Sequence, residues 1–260
     1  MSETIQLRGG FTTTDPRLGR IPEPDADNFP IRAILKPAQL EIISKTWWMP
    51  SHFVKQKLDQ SGSQCTGMSG AYDLAASPIP LKRLDGTPFD EDDAELFYRT
   101  GQKYDQWAGE NYDGSSVLGV AKGLVHLGYI GEYRFADSID DYLAALGHIG
   151  PIVNGTDWTN TMFEPHPSGL IIPSDASDIA GGHAYLTRSI YTSPDYQRKL
   201  LGRGEPIRKG VPLLRGPNSW GNTWARDGDW LMWADDMERL QRGLERWPGD
   251  ARITTQAFRR

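Results

Sequence analysis

A lone cysteine, Cys65, in a chain of 260 residues leaves no internal disulfide to staple the fold, so ordinary burial of apolar surface must hold it. At this length one sizeable core, or two small lobes sharing one, is within reach. The surroundings of Cys65 add a second constraint. A Gly/Ser-rich polar run, Ser61-Gly62-Ser63-Gln64, leads into it, and Met68, Ala71, Tyr72 and Ala75 then recur at i, i+3, i+4 and i+7. That spacing predicts a helix with Cys65 at its N-terminal edge. A thiol is a strong nucleophile only as thiolate, and the positive end of a helix favours the anionic sulfur. Gly67 and Gly70 each cost a helix about 1 kcal/mol, which implies another element packed closely against this turn. A structural cysteine is a small hydrophobe and needs no polar loop in front of it. Gln60 and Gln64 bring carboxamides nearby, and one of them, with the Cys65 backbone N–H, would make an oxyanion hole.

A base is the next requirement of a thiol nucleophile. In Gly181-Gly182-His183-Ala184 the glycines, followed by the alternating Ala184-Tyr185-Leu186-Thr187, predict a turn entering a strand, with His183 at its start near a cleft. The other histidines are less well placed. His52 and His126 lie in ordinary surroundings, His148 falls near a helix end, and His166 sits between prolines. Without HExxH, CxxC or a second thiol, neither a metal site nor an organic cofactor is expected. The acidic run from Asp90 to Glu95 lacks the alternating ligands and central glycine of a calcium loop and reads as a helix start.

The segment Asn218-Ser219-Trp220-Gly221-Asn222-Thr223-Trp224, followed by Asp227-Gly228-Asp229-Trp230, resembles the most specific short motif of the papain-like cysteine peptidases. The order Cys65, His183, Asn218 is also that family's order, and the spacings bracket its usual interval of about 130–150 residues. The resemblance spans roughly residues 45–235. It implies an α+β, papain-like two-lobe fold, in which a helical lobe carrying the cysteine packs on an antiparallel sheet lobe carrying His183 and Asn218. It also implies roles. Cys65 would be nucleophile, His183 acid and base, and Asn218 the residue that orients the imidazole. Trp220 would shield the Asn–His bond from water, and Trp224 would wall the leaving-group side. Gln60, after Asp59, fits the family's Asp-Gln pattern better than Gln64, though it stands one residue nearer the cysteine than usual.

Further stretches fit the same template. Tyr112-Asp113-Gly114-Ser115-Ser116, ahead of an apolar helical face at Val117, Val120, Ala121, Leu124 and Val125, resembles the family's substrate wall. Gly114 and Ser115 would offer backbone groups to an extended peptide, while Asp113, Ser115 or Ser116 caps the helix. Gly150-Pro151-Ile152-Val153 resembles the strand lining the pocket for the side chain two residues before the cut; Trp158 either narrows that pocket or is plain core. The chain departs from the family at the nucleophile, where Ser63-Gln64-Cys65-Thr66-Gly67 lacks the supporting disulfide and the aromatic. A compact bacterial or phage version without disulfides is implied, in a reducing cytoplasm, or in the virion if phage-encoded. Between His183 and Asn218 lies an insertion, Ser193 to Arg215, read either as a solvated hairpin excursion or as a lid beside the cleft.

Residues 1–44, with Pro16, Pro22, Pro24, Pro30 and Pro37, read as an extended arm laid over a surface, too short for the family's usual inhibitory prosegment. Residues 45–260 form the catalytic domain: a mostly helical lobe over 45–145, a sheet lobe over 146–233, and a C-terminal helix and tail over 234–260. In the last of these Trp233, Met237, Leu240, Leu244 and Trp247 share a face and Asp235 with Glu238 reads as a capping pair. A net charge of −6 gives no basic footprint for nucleic acid. No apolar stretch is long enough to span a membrane, and the N-terminus lacks the pattern of a signal peptide. The expected partner is a polypeptide or peptidoglycan peptide, cut by acyl transfer through a thioester. A cell-wall amidase or endopeptidase, with assembly into a virion as its setting, is the second reading, and a non-catalytic interaction protein on a peptidase scaffold the third.

Overall fold

The computed structural model describes residues 4–24, 29–36, 45–48, 53, 56–76, 80–109, 112–202, 205–244 and 249–254. His52, Pro37 and Trp247 lie outside them, and with them the parts of the sequence reading that involve those residues. A short ladder, β1 (Ile5–Gln6) with β2 (Thr12–Thr13), opens the chain. Strand β3 (Lys45–Trp47) follows, then helices α1 (Cys65–Ala75), α2 (Glu91–Tyr104) and α3 (Val117–His126). The later elements are β4 (Tyr133–Phe135), α4 (Ile139–His148), β5 (Ile152–Thr159), β6 (Ile179–Thr187), β7 (Ser189–Tyr191), α5 (Pro194–Leu201), β8 (Leu213–Pro217), β9 (Asp229–Trp233), α6 (Ala234–Gln241) and β10 (Asp250–Thr254). Two four-stranded antiparallel sheets result, ordered β4-β10-β5-β6 and β3-β7-β8-β9. This is the α+β architecture of a helical lobe packed on an antiparallel sheet lobe.

Local chemistry explains the helices that frame the site. Asp90 caps α2 in a reciprocal box with Asp93, as the acidic run foretells. Ser116, of the candidate caps, accepts from the Gly119 N–H at the start of α3. Gly67 answers for the close packing of α1 and α2, since a Cβ there would lie 2.0 Å from the Ala94 carbonyl oxygen. The helical lobe's core joins Met68, Tyr72, Phe97, Val120 and Leu124 to Val153, Ala184 and Leu186 from β5 and β6, so one face of the sheet is part of the helical lobe's interior. The other face carries Trp158, Tyr185, Trp220 and Trp230.

Several boundaries differ from those drawn on the sequence. Lys45–Trp47 pairs with β7, and Tyr133–Phe135 with β10, so both ends of the span read as helical belong to the sheets. Helix α6 starts at Ala234 without a side-chain cap, and Trp233 is the last residue of β9. The Asp235–Glu238 capping pair is therefore corrected: Asp235 instead accepts from the Asp236 N–H and pairs with Arg208. The insertion is not a hairpin. It holds helix α5, with Leu201 buried and Gln197 donating to the Tyr191 and Val211 carbonyls. No helix of the described residues is long and apolar enough to cross a membrane.

Replacing Gly67 by alanine is expected to cost about 1–3 kcal/mol through overpacking against a backbone carbonyl that cannot swing aside. Urea unfolding of the two chains measures it.

Candidate active site

Cys65 is the first residue of α1 and is fully buried. His183 lies in the middle of β6, also fully buried, rather than at a strand start. The preceding glycines are not a turn. They are strand residues without side chains because another segment crosses them: a Cβ on Gly182 would lie 2.2 Å from the Arg20 carbonyl oxygen, and one on Gly181 2.5 Å from the Thr13 hydroxyl.

The imidazole meets the asparagine directly, with Nε2 2.8 Å from Asn218 Oδ1. The Ser219 N–H donates to the same oxygen at 2.9 Å, which sets the amide so that Nε2 carries the hydrogen. Nδ1 is then the acceptor, buried and without a hydrogen-bond partner among the described residues. Aromatic rings enclose this bond. Trp158 stands edge-on to the imidazole at 4.8 Å, Trp220 lies 4.9 Å from it, and Trp220 stacks on Phe163. Trp224 packs 5.1 Å from Trp220 and donates to the Phe163 carbonyl. Trp158 is thus a buttress behind His183. The pocket-narrowing alternative is corrected, because Trp158 and Thr156 share the imidazole's face of β5 while Gly155 and Asp157 point to the other.

Gln60 is tied to the same loop. Its N–H donates to the Ser219 carbonyl at 2.8 Å, and its Oε1 accepts from the Ser219 hydroxyl. Tyr72 extends the link, accepting from the Leu58 N–H and donating to the Asn218 carbonyl. Gln64 turns away, its Oε1 accepting from the Gly62 N–H. The wall at Gly114 and Ser115 is held by α2: Gly114 N–H donates to Tyr98 Oη, and Gln102 donates to the Tyr112 and Gly114 carbonyls. Beneath the asparagine loop, the single carboxylate of Asp229 meets Lys57, Arg188 and Arg215. None of Tyr98, Gln102 and Asp229 was singled out from the sequence for these roles; the only signal was polar residues at helix and strand positions that face the interior.

The arm is sunk into the site rather than laid over a surface. Leu18, Arg20 and Ile21 are buried. Thr14 and Arg20 donate backbone N–H groups to the Ala180 and Gly182 carbonyls, and on the other side Ser115 N–H donates to Gly19 and Ile21 N–H to Ser115. The pairing of Arg20 with Ser115 is parallel. Gln60 Nε2 donates to the Arg17 carbonyl at 2.8 Å, and the Arg17 guanidinium lies 4.3 Å over Trp220. Residues 17–20 therefore run from the tryptophans across Cys65 to the Gly114–Ser115 wall.

This cover sets the protonation states. Burial pushes the Cys65 thiol up, outweighing hydrogen bonds directed at it from the backbones of Ala184, Gly19 and Thr66. Burial likewise drives His183 down to about 4, against the hydrogen bond it donates to Asn218 and aided by the Arg17 charge. Thiol and imidazole are both neutral at pH 7, and no hydrogen bond joins them.

No family model matches this chain, and no curated protein matches it in sequence. Solved structures do. Xylellain, a cysteine protease from Xylella fastidiosa, superposes with a TM-score of 0.62 at 18% identity over 92% of this chain and 95% of its own. Procathepsin B S9 from Trypanosoma congolense gives 0.59 at 13%, over 92% and 86%. Procathepsin L 3 of the Tenebrio molitor larval midgut gives 0.56 at 15%, over 90% and 75%. At such identities the likeness establishes the fold, which is papain-like.

Iodoacetamide is expected to modify Cys65 of the intact chain at least about tenfold more slowly than a free thiol at neutral pH, the rate climbing only above the ordinary thiol range near 8.5. Labelling as fast as a free thiol's would contradict the burial described.

Proposed function

We propose that this chain is a thiol-dependent hydrolase of peptide bonds, working through Cys65, His183 and Asn218. The observation that carries the reading is the buried His183–Asn218 hydrogen bond, which leaves Nδ1 as a lone-pair acceptor one residue from Ala184, whose backbone reaches the Cys65 sulfur. With the cleft open, Nδ1 takes the thiol proton and the sulfur, at a helix N-terminus, becomes thiolate. The thiolate attacks the substrate carbonyl, forming a C–S bond, and the oxyanion is met by Gln60 Nε2 and the Cys65 N–H. His183 protonates the leaving amine as the C–N bond breaks. It then draws a proton from water, whose oxygen displaces the sulfur to release the acid and restore the thiol. Trp220 and Trp224 wall the leaving-group side, and Gly114 and Ser115 pair with the acyl side.

The arm must leave for this to happen. Its Arg17 carbonyl occupies the Gln60 carboxamide, and it runs from the leaving-group side to the acyl side, the reverse of a productive substrate. Gly19 offers the means of release, because a Cβ there would lie 2.1 Å from the Ser63 carbonyl oxygen. Gly19→Val in the full chain is expected to raise Cys65 alkylation at neutral pH at least about tenfold and to sustain it well below the ordinary thiol value of about 8.5. The opened chain is expected to hydrolyse casein, and Cys65→Ala to abolish that hydrolysis. Gln60→Ala is expected to lower kcat by about 10²–10³. Turnover of peptidoglycan peptides but not casein would assign the activity to cell-wall bonds; turnover of neither, by a chain whose cysteine alkylates readily, would refute a hydrolase.

A further inference from the structure

The most deeply buried charge among the described residues of the arm is Arg20, 2% exposed. Its aliphatic stem and Nε lie against Gly155, where a Cβ would stand 2.9 Å from Nε, and against Gly182, 3.2 Å from Cδ. The absence of side chains at these two positions, diagonal neighbours on one face of β5 and β6, makes room for the guanidinium. The groups around it are acidic. Asp157, opposite Gly182 on β5, and Asp250, opposite Gly155 on β10, are each 6% exposed and both interact electrostatically with Arg20. A second cation there is Arg252, whose Nε lies 2.7 Å from Asp250 Oδ1 and whose side chain also lines a crevice with the buried Asp73. With the arm in place Arg20 helps balance these carboxylates. With the arm withdrawn, Asp157 and Asp250 lose the Arg20 charge beside the nucleophile, and a buried carboxylate that loses a cation favours another in its place.

We infer that the pocket filled by Arg20 is a specificity subsite for a basic side chain of the substrate, with Asp157 and Asp250 as its determinants. The inference rests on the peptidase reading above. The pocket's position follows from the arm itself: the backbone of Gly19 reaches the Cys65 sulfur, Arg20 is the next residue, and its backbone neighbours are Ser115 and Gly182. A substrate paired with Ser115 places there the side chain of the residue preceding the one whose carbonyl is attacked. An arginine fits by length and charge, a lysine by charge, and a glutamate would meet like charges. The arm thus borrows the substrate's recognition group while presenting its backbone in the opposite direction.

The test uses the full chain carrying Gly19→Val and fluorogenic peptides identical except at that residue, with arginine, lysine, leucine or glutamate. The arginine peptide is expected to exceed the leucine peptide at least about tenfold in kcat/KM and the glutamate peptide to be the poorest. Adding Asp157→Asn is expected to reduce the arginine-to-leucine ratio about tenfold or more. Equal rates for arginine and leucine, or a ratio untouched by Asp157→Asn, would overturn the subsite while leaving the hydrolase standing. If no peptide is cut, the hydrolase reading fails, and the subsite is read from protection of Cys65 against iodoacetamide. The arginine peptide then protects better than the leucine peptide, and equal protection overturns it. In the chain without Gly19→Val, Arg20→Leu is expected to speed Cys65 alkylation more than Arg20→Lys does; equal acceleration by both would show that charge plays no part in holding the arm.

Discussion

The approach of the arm to Gly182 is the contact on which the state of the site depends. Two backbones meet there without an intervening side chain, and the Arg20 N–H reaches the Gly182 carbonyl at 3.0 Å. From that contact the arm is threaded between β6 and the Ser115 wall, seals Cys65 and His183 from water, and brings a carbonyl to Gln60. Water exclusion does not by itself activate a thiol. Here it favours the neutral forms of both partners, because burial outweighs the Arg20 charge that acts on Cys65 and the Asp15 charge that acts on His183. With the arm withdrawn the site would gain solvent and lose the Arg17 charge, which favours the ion pair, against the loss of Arg20 and the Gly19 backbone beside Cys65 and of Asp15 near His183; solvation, opposing the largest cause at both groups, decides the balance.

Electrostatics also shapes the scaffold. Asp229 sits at the start of β9 with three cationic side chains around it, and the Asn218 N–H donates to the carbonyl of the preceding residue, Gly228. Burial lowers the pKa of Lys57 and of Arg188, and Asp229 opposes both shifts. A charged cluster of this kind contributes little net stability, since desolvation offsets much of the attraction. Its geometric effect is clear: it pins the loop that presents Asn218 and Trp220 to His183 in the middle of β6. The acidic pocket at Asp157 and Asp250 differs in kind, because one of its cations belongs to a segment that can be withdrawn.

Much of this was legible in the sequence, and the parts that were not share a cause. The helix at Cys65 and its close partner were announced by i, i+3, i+4 spacing and by Gly67, both local signals. The His183–Asn218 contact was implied by motif order, which stands in for the long-range pairing that periodicity does not carry. Gly181 and Gly182 misled because glycine has more than one use: a turn and a close backbone crossing look alike until the crossing segment is known. Trp158 was ambiguous for a related reason, since the face of β5 that meets the imidazole is fixed only by its register with β6. The arm was seen as extended, and its prolines justified that; where it goes depends on hydrogen bonds to Ser115 and Gly182, far away in the chain.

The central claim is that residues 17–20 hold the nucleophile and its base neutral by covering them. The ultraviolet absorbance of the Cys65 thiolate, followed against pH in the full chain and in its Gly19→Val variant, tests this most directly. The account predicts a titration above the ordinary thiol range in the first and a thiolate persisting into mildly acidic solution in the second, lost when His183 is also replaced by alanine. Superimposable titrations of the two chains would contradict it.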